Sequence, residues 1–441
     1  MRIAIANWSQ RRIGGSETYL NSIIPILLDR GHELAFLFEV DEPAVRDQIA
    51  LLHTSPAWCV ADIGHKRALA TLRGWEPDVI YTHGIHDTEL EADIIRIAPA
   101  IFFAHTFTGT CISGQKTFKS PVAKPCSRSF GWQCLLHYYP HRCGGRSPIT
   151  MFRLYLTQAK RLENLRDYQA IVTHSSYMRA EYVKHDFDPA RVYNLSYYAP
   201  RLSSNSLSVA ASQQVDGSVE IAEAPPPVQP TASTLEIPSR LLFLGRMEFL
   251  KGGEIFLDAL QQAQSILNRP LHVTFAGDGP ERHKWESKAA SLQAQNQQLS
   301  IEFVGWTRDS QLDSVLSNSD LLVFPSLWPE PFGLAGLEAG QRGVPVAAFA
   351  VGGIPDWLFD GVNGYLAPGD PPTEAGLAEA IVKCLRNPGH YAQLRRGAME
   401  ISHSFDMETH LNALLKVFEK FRKKTPNTSE KNEHLILKAG R

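Results

Sequence analysis

Two glutamates eight residues apart, Glu330 and Glu338, stand in the stretch PSLWPEPFGLAGLEAGQRGVPVAAF, residues 325–349, with no other charge between them. A buried carboxylate is costly unless it is hydrogen-bonded or paired. Both must therefore face solvent, or face hydroxyls or positive charge. Three further loops carry matching chemistry. In GRMEFLKGG, residues 245–253, Gly245 allows a turn, Arg246 offers a fork of donors, and Lys251 sets a point charge before two glycines. Two cations with glycines beside them suit a diphosphate. AGDGPER, residues 276–282, and VGWTRDSQ, residues 304–311 with Trp306 and Thr307, complete the set. Each residue alone fits an ordinary surface or core role; the set gives donors for a diphosphate and acceptors for sugar hydroxyls.

The elements that must hold these loops are strands and helices in alternation. RLLFLGRM, LHVTFAGDG, IEFVGW, DLLVFPS and VPVAAFA are short apolar runs, each followed by a helical stretch. Buried strands separated by helices predict a parallel sheet covered on both faces, with ligands at the strands' carboxyl ends. The first ninety residues follow the same rhythm. IAIANW leads to Gly14 and Gly15, then to a helical SETYLNSIIPILLDRGH with Ser16 as its expected N-cap and Pro25 as a potential kink. ELAFLFE, PDVIYTHG and AIFFAHT read as strands. Phe332 and Gly333 are expected to begin a helix whose unpaired N–H groups face an anion.

These features predict an α/β chain of two Rossmann-like, doubly wound domains. The N-terminal domain is expected over 1–202 and a disordered linker over 203–237, where Ser, Ala, Gln and Pro dominate. A second domain follows over 238–405, then a helix over 406–424 turned back toward the first domain, then a flexible tail over 425–441.

The motifs GRMEFLKG, AGDGPER, FVGW, PSLWPEPFGLAGLEAG and VGGIPDWLFDGVNGYLAPGD together resemble the retaining glycosyltransferases of family 4, over nearly all of 236–405. GGSETYL, PDVIYTHG, FFAHTF and VTHSSYMRAEYV extend the similarity less specifically into the first domain. The resemblance implies a GT-B fold with two domains facing across a cleft, and transfer of a sugar from a nucleotide-diphosphate donor of unspecified base. It implies that Arg246 and Lys251 hold the diphosphate, Glu338 the ribose, and Glu330 the donor sugar. It sets the backbone of Phe332, Gly333 and Leu334 around phosphate and sugar, and Trp306 and Thr307 by the base. His105 and Gly15 would approach from the first domain. No cofactor is implied for catalysis. Asp356, where the family often has glutamate, and Asp186, where glycine is usual, depart from the pattern without touching the expected site.

The stretch from Ile94 to Leu162 contains no acidic residue and ten lysines or arginines, interleaved with Phe118, Phe130, Trp132, Tyr138 and Tyr139. Such a field attracts anions. An anionic acceptor or peripheral contact with an anionic membrane fits it; nucleic acid does not, since no nucleic-acid motif accompanies the charge. Cys111, Cys126, Cys134 and Cys143 lie in the same stretch. They could hold a structural zinc, with His137 and His141 as alternative ligands, or be ordinary thiols; the short Cys-x2-Cys spacing is missing. The net charge of −2 gives no global pull toward polyanions. With neither a leader pattern nor a membrane-length apolar run, the expected location is cytoplasmic, at most peripheral on a membrane. Two other readings fit the same motifs. One is a non-catalytic nucleotide-sugar or lipid-surface binding protein; the other is a GT-B epimerase or hydrolase. Turnover separates the first from a transferase, and sugar attached to an acceptor separates the second.

Overall fold

The computed structural model describes residues 1–11, 15–41, 55–199, 237–307 and 309–423. Apart from residue 237, the expected linker lies outside them, as does the expected tail.

The first domain is built on strands β1 (Arg2–Ser9), β2 (Glu33–Val40), β3 (Ala57–Cys59), β4 (Val79–Thr82) and β5 (Ala100–Phe103). A small hairpin of β6 (Thr117–Phe118) and β7 (Lys124–Pro125) precedes β8 (Ala170–Thr173) and β9 (Val192–Asn194). The main sheet runs β3-β2-β1-β4-β5-β8-β9, parallel throughout. Both its faces are covered, as a parallel sheet requires. Along β1, Ile3 and Ile5 join one buried cluster and Ala4 and Ala6 the other. The helix after β1 spans Gly15–Asp29 and runs through Pro25. It starts two residues before the first helical position that an N-cap at Ser16 would give, so Ser16 lies within its first turn; helix ends are soft by one or two residues.

The second domain holds β10 (Arg240–Leu244), β11 (Leu271–Ala276), β12 (Leu299–Gly305), β13 (Leu321–Phe324), β14 (Val346–Phe349) and β15 (Gly364–Ala367). Their order is β12-β11-β10-β13-β14-β15, again parallel. Chain order reverses between β10 and β13, and a sheet of this kind takes ligands in the crevice beyond its strands' carboxyl ends at that point. In the two main sheets β3, β8, β9 and β15 escape a reading by apolar run, as do the two-residue strands β6 and β7.

The last helix, Met407–Phe421, lies on the first domain. Leu411, Leu414 and Phe418 are fully buried, and the Phe418 ring lies 5.0 Å from that of Tyr81. His410 links Tyr19 Oη (2.8 Å) to the Ser196 carbonyl (2.8 Å), and Lys420 donates to Tyr193 Oη.

A second tie joins the domains at the helix Ser176–Val183. The Asp356 carboxylate accepts from Ser176 N at 2.6 Å and from Ser176 Oγ at 2.5 Å. A carboxylate is favoured at a helix N-terminus because the first N–H groups lack internal partners. Asp356, set apart in the sequence as an inconsequential departure, is thus an interdomain contact. Replacing it by Ala removes two charge-assisted bonds, and about 1–3 kcal/mol of stability should go with them. Denaturant unfolding checks this; an unchanged midpoint would show that the contact contributes nothing.

Candidate functional site

The loop after β10 and the loop after β13 are brought together by the order of the sheet. Leu327 N donates to the Leu250 carbonyl at 2.8 Å. Gly252, at φ +72°, lies so close that a Cβ there would sit 1.9 Å from the Pro325 carbonyl oxygen. Only glycine satisfies both the backbone angle and the approach. The loop after β14 joins them, with Gly353 N donating to the Glu330 carbonyl at 2.7 Å. A Cβ on Gly352 would meet that same carbonyl at 2.2 Å.

Glu330 sits where the three loops converge and is only 5% exposed. Its Oε1 receives Lys251 Nζ at 2.7 Å, Trp328 Nε1 at 2.7 Å and the Ser326 hydroxyl. The Lys251 ammonium also stands 5.4 Å from the Trp328 ring centroid. The buried carboxylate is therefore compensated by a cation and two neutral donors. Two residues read from sequence as separate contacts for a ligand are bound to each other here. The Lys251 side chain is 22% exposed, against 6% for Glu330.

Arg246 lies elsewhere on the same loop. It is 65% exposed and pairs with Glu248 at 3.1 Å, apart from Lys251 and Glu330. Gly245 is packed under the neighbouring strand end: a Cβ on Gly277 would lie 2.0 Å from its carbonyl oxygen. Gly277 N in turn donates to the Gly305 carbonyl at 2.7 Å, beside Trp306 and Thr307. Trp306 offers its ring at 68% exposure, with Thr307 half-buried. The carboxyl ends of β10, β11 and β12 thus form a glycine-lined step from Arg246 to Trp306.

The helix expected at Phe332 begins at Leu334 and ends at Gly340, with Gly333 as N-cap at φ +95°. Phe332 is buried, and its carbonyl accepts from Trp357 Nε1 at 2.7 Å. Glu338 is half-buried within this two-turn helix, and its own carbonyl accepts from Arg342. A helix of seven residues sums few peptide dipoles, so the anion field expected of it from sequence is small.

From the first domain, His105 comes close through one intermediary. Its Nδ1 contacts Tyr197 Oη at 2.9 Å, and the Tyr197 ring lies 5.8 Å from that of Phe332. His105 Nε2 contacts His83 Nδ1 at 2.9 Å. His174 lies beside them, stacked on Tyr197 at 4.0 Å between ring centroids. His83, His105 and His174 each follow a strand end, those of β4, β5 and β8. The sequence reading singled out only His105. The recurrence of histidine one or two residues past successive strands, in YTHG, FFAHT and VTHSS, was the available signal. Gly15 opens the helix after β1, and residues 12–14 before it lie outside the described residues.

Burial holds these imidazoles neutral. It pushes His105 down to about 3 and His410 down to about 4, and lowers His83 and His174 well below their ordinary value. The four cysteines Cys111, Cys126, Cys134 and Cys143 are free thiols. Burial raises Cys126 and Cys134, and burial with the neighbouring thiols pushes Cys143 up to about 12. Among the described residues no group of three or more His, Cys, Asp or Glu side chains is placed to hold a metal ion.

The comparisons with known proteins bear on the same loops. Residues 234–400 match the model of the family described as glycosyl transferases group 1. The solved structure of Anabaena HepE in complex with UDP and glucose superposes with a TM-score of 0.63 at 18% identity, over 95% of this chain and 100% of that one. The fold is GT-B. WaaG, a glycosyltransferase involved in lipopolysaccharide biosynthesis, gives 0.58 at 15% identity, over 94% of this chain and 99% of its own. Among curated sequences, glycogen synthase of Mycobacterium tuberculosis is 30% identical over 182 residues, 41% of this chain and 42% of that protein. D-inositol 3-phosphate glycosyltransferase of Salinispora tropica is 31% identical over 196 residues, 42% of this chain and 39% of its own. The chain spans less than half the length of these curated relatives.

Two outcomes follow from the geometry. Lys251→Met strands a buried carboxylate and should cost roughly 3 kcal/mol. The double variant Lys251→Met/Glu330→Gln removes the stranded charge and should cost at least about 0.5 kcal/mol less than the sum of the singles. Additive losses in denaturant unfolding would contradict the pairing.

The histidines give a pH signature. Each binds a proton when unfolded near pH 6.5 but stays neutral when folded, so their stability contribution is complete above pH 6.5. It is lost as pH falls toward about 4 for His410 and about 3 for His105. Between pH 6 and 5, His410→Gln should flatten the slope of unfolding free energy against pH by about 1 kcal/mol per unit. An unchanged slope would place a charged His410 in the folded protein.

Proposed function

We propose that this protein is a retaining glycosyltransferase that moves a sugar from a nucleotide-diphosphate donor to an acceptor hydroxyl. The observation that carries the reading is the Lys251–Glu330 pair at the chain reversal of the second sheet, within the segment that matches the glycosyl transferase family. A ligand diphosphate would meet the partly exposed Lys251, and Arg246 would leave Glu248 to join it. Trp306 would stack on the base, and Glu338 would accept from the ribose. HepE has been solved with UDP-glucose, which makes a uridine donor the first to try.

In this reading the bond from the anomeric carbon to the diphosphate oxygen breaks as the acceptor oxygen bonds on the same face. The acceptor proton passes to the departing phosphate oxygen. Arg246 and Lys251 stabilise the charge that develops on that leaving group, which is where fixed donors accelerate a reaction most. Glu330 holds Lys251 in place and faces the sugar. His105, neutral and tied to Tyr197, would serve as a hydrogen-bonding group beside the sugar rather than as a cation.

A thermal-shift panel of UDP-, GDP- and ADP-sugars tests donor binding, because a ligand of the folded state alone must raise its stability. One nucleotide class should raise the transition and Arg246→Ala should abolish that rise; no shift with any would contradict the reading. Kinetics then separate the glutamates. Glu338→Gln should mainly raise the donor KM and Glu330→Gln mainly lower kcat, each by about tenfold to a hundredfold, the worth of one hydrogen bond to a charged group. The reverse pattern would exchange their roles.

A further inference from the structure

The segment between β5 and β8 forms an outgrowth on the first domain. It is anchored from beneath by a buried ion pair, Lys116 to Glu181 at 2.7 Å. Phe130 N donates to His185 Nε2 at 2.8 Å, and Lys184 donates to the Ser127 carbonyl. Its own small core is made by Ile112, Tyr138, Cys143 and Met151. The outgrowth is thus a fixed platform rather than a loose loop.

Its outer surface is unlike the rest of the molecule. Among the described residues, seven of the fifteen exposed large hydrophobic side chains fall within residues 122–156: Val122, Trp132, Leu136, Tyr139, Ile149, Phe152 and Leu156. The long helix Pro148–Asp167 buries Met151, Gln158 and Leu165 on one side. On the other it shows Ile149, which is 80% exposed, with Phe152 and Leu156. At 3.6 residues per turn these three share an arc of roughly 100° with Arg153 and Lys160. Toward the helix's far end the same arc carries exposed Glu163 and Asp167, Glu163 pairing with Lys160 at 3.0 Å, so its apolar and cationic part is the first three turns. The short helix Gln133–His137 repeats the arrangement, with Tyr138 buried behind it and Trp132, Leu136 and Tyr139 outward. Arg128, Arg142, Arg146 and Arg153 of the same segment are exposed, and the first acidic residue after Asp93 is Glu163, paired with Lys160.

We propose that this face docks the protein on the surface of an anionic lipid bilayer. An apolar stripe flanked by arginine and lysine is what an interfacial helix presents, apolar side chains entering the acyl boundary and cations meeting headgroups. Trp and Tyr are favoured at that depth. Charge decides against a second copy of the chain, because a twofold contact through this patch would set its arginines against themselves. Among the described residues no helix is long and apolar enough to cross a membrane. The hairpin of the same outgrowth reaches the second domain, where Lys124 lies 3.9 Å from Asp370. Docking by this face would set the cleft beside the bilayer. The inference does not depend on glycosyl transfer, and its test needs no turnover.

The experiment is co-sedimentation of the full chain with vesicles of phosphatidylcholine, alone or with phosphatidylglycerol, at low and high salt. Binding to the anionic vesicles should exceed that to the neutral ones by roughly tenfold or more and fall as salt screens the charge. Ile149→Ser/Leu156→Ser should weaken it at least tenfold at an unchanged thermal transition, since both positions are exposed when free and each loses most of a buried aliphatic group when docked. Arg153→Glu/Lys160→Glu should weaken it while leaving the apolar stripe intact. Equal binding to both vesicle types, or none, would overturn the proposal. Full binding by the serine variant would do the same, as would competition by millimolar inorganic phosphate at constant ionic strength, which would indicate a site for a soluble anion. A dimer in solution that the serine variant dissolves would reassign the face to self-association.

Discussion

A carboxylate that is 5% exposed cannot remain charged in a folded protein without partners, and Glu330 has Lys251, Trp328 and Ser326. The constraint reaches well beyond one side chain. Lys251 belongs to the loop after β10 and Glu330 to the loop after β13, so their pairing fixes the crevice where chain order reverses. The glycines at 252, 352 and 353 let three backbones close around that pair, each where a Cβ would strike a carbonyl oxygen. The lysine side chain that satisfies the buried charge is itself partly exposed.

The two domains meet around this pair. Trp328 packs against both large buried clusters, Tyr197 faces Phe332, and Asp356 reaches Ser176 across the boundary. On the first domain's side lies an aromatic and imidazole layer that burial keeps uncharged. The helix Met407–Phe421 reinforces the arrangement by returning from the second domain to seal the first through His410 and Phe418.

Much of this was legible in the chain. Apolar runs marked most strands of both sheets, and the Gly-Arg, Lys-Gly and spaced glutamates marked the loops that meet at the crevice. Among the main-sheet strands that escaped, β3 and β9 have three residues and β15 opens on glycine, whereas β8, AIVT, was as readable as β4 and was passed over. Spacing alone could not show that Lys251 and Glu330 are bonded to each other, because 79 residues separate them. Nor could it show that Asp356 reaches the opposite domain, which depends on how two separately folded sheets are set. His83 and His174 were visible as a repeated histidine past a strand end, but the signal emerges only when the strands are seen side by side. The basic, acid-free stretch was plain in sequence; its division into a buried anchor and an apolar outer face required the fold.

The most direct test of the central claim is a crystal structure of the protein soaked with UDP. The account predicts Lys251 Nζ within hydrogen-bond distance of a diphosphate oxygen while still held by Glu330, with Arg246 swung from Glu248 to the same phosphates. A diphosphate lodged elsewhere in the molecule, with the Lys251–Glu330 pair untouched, would contradict it.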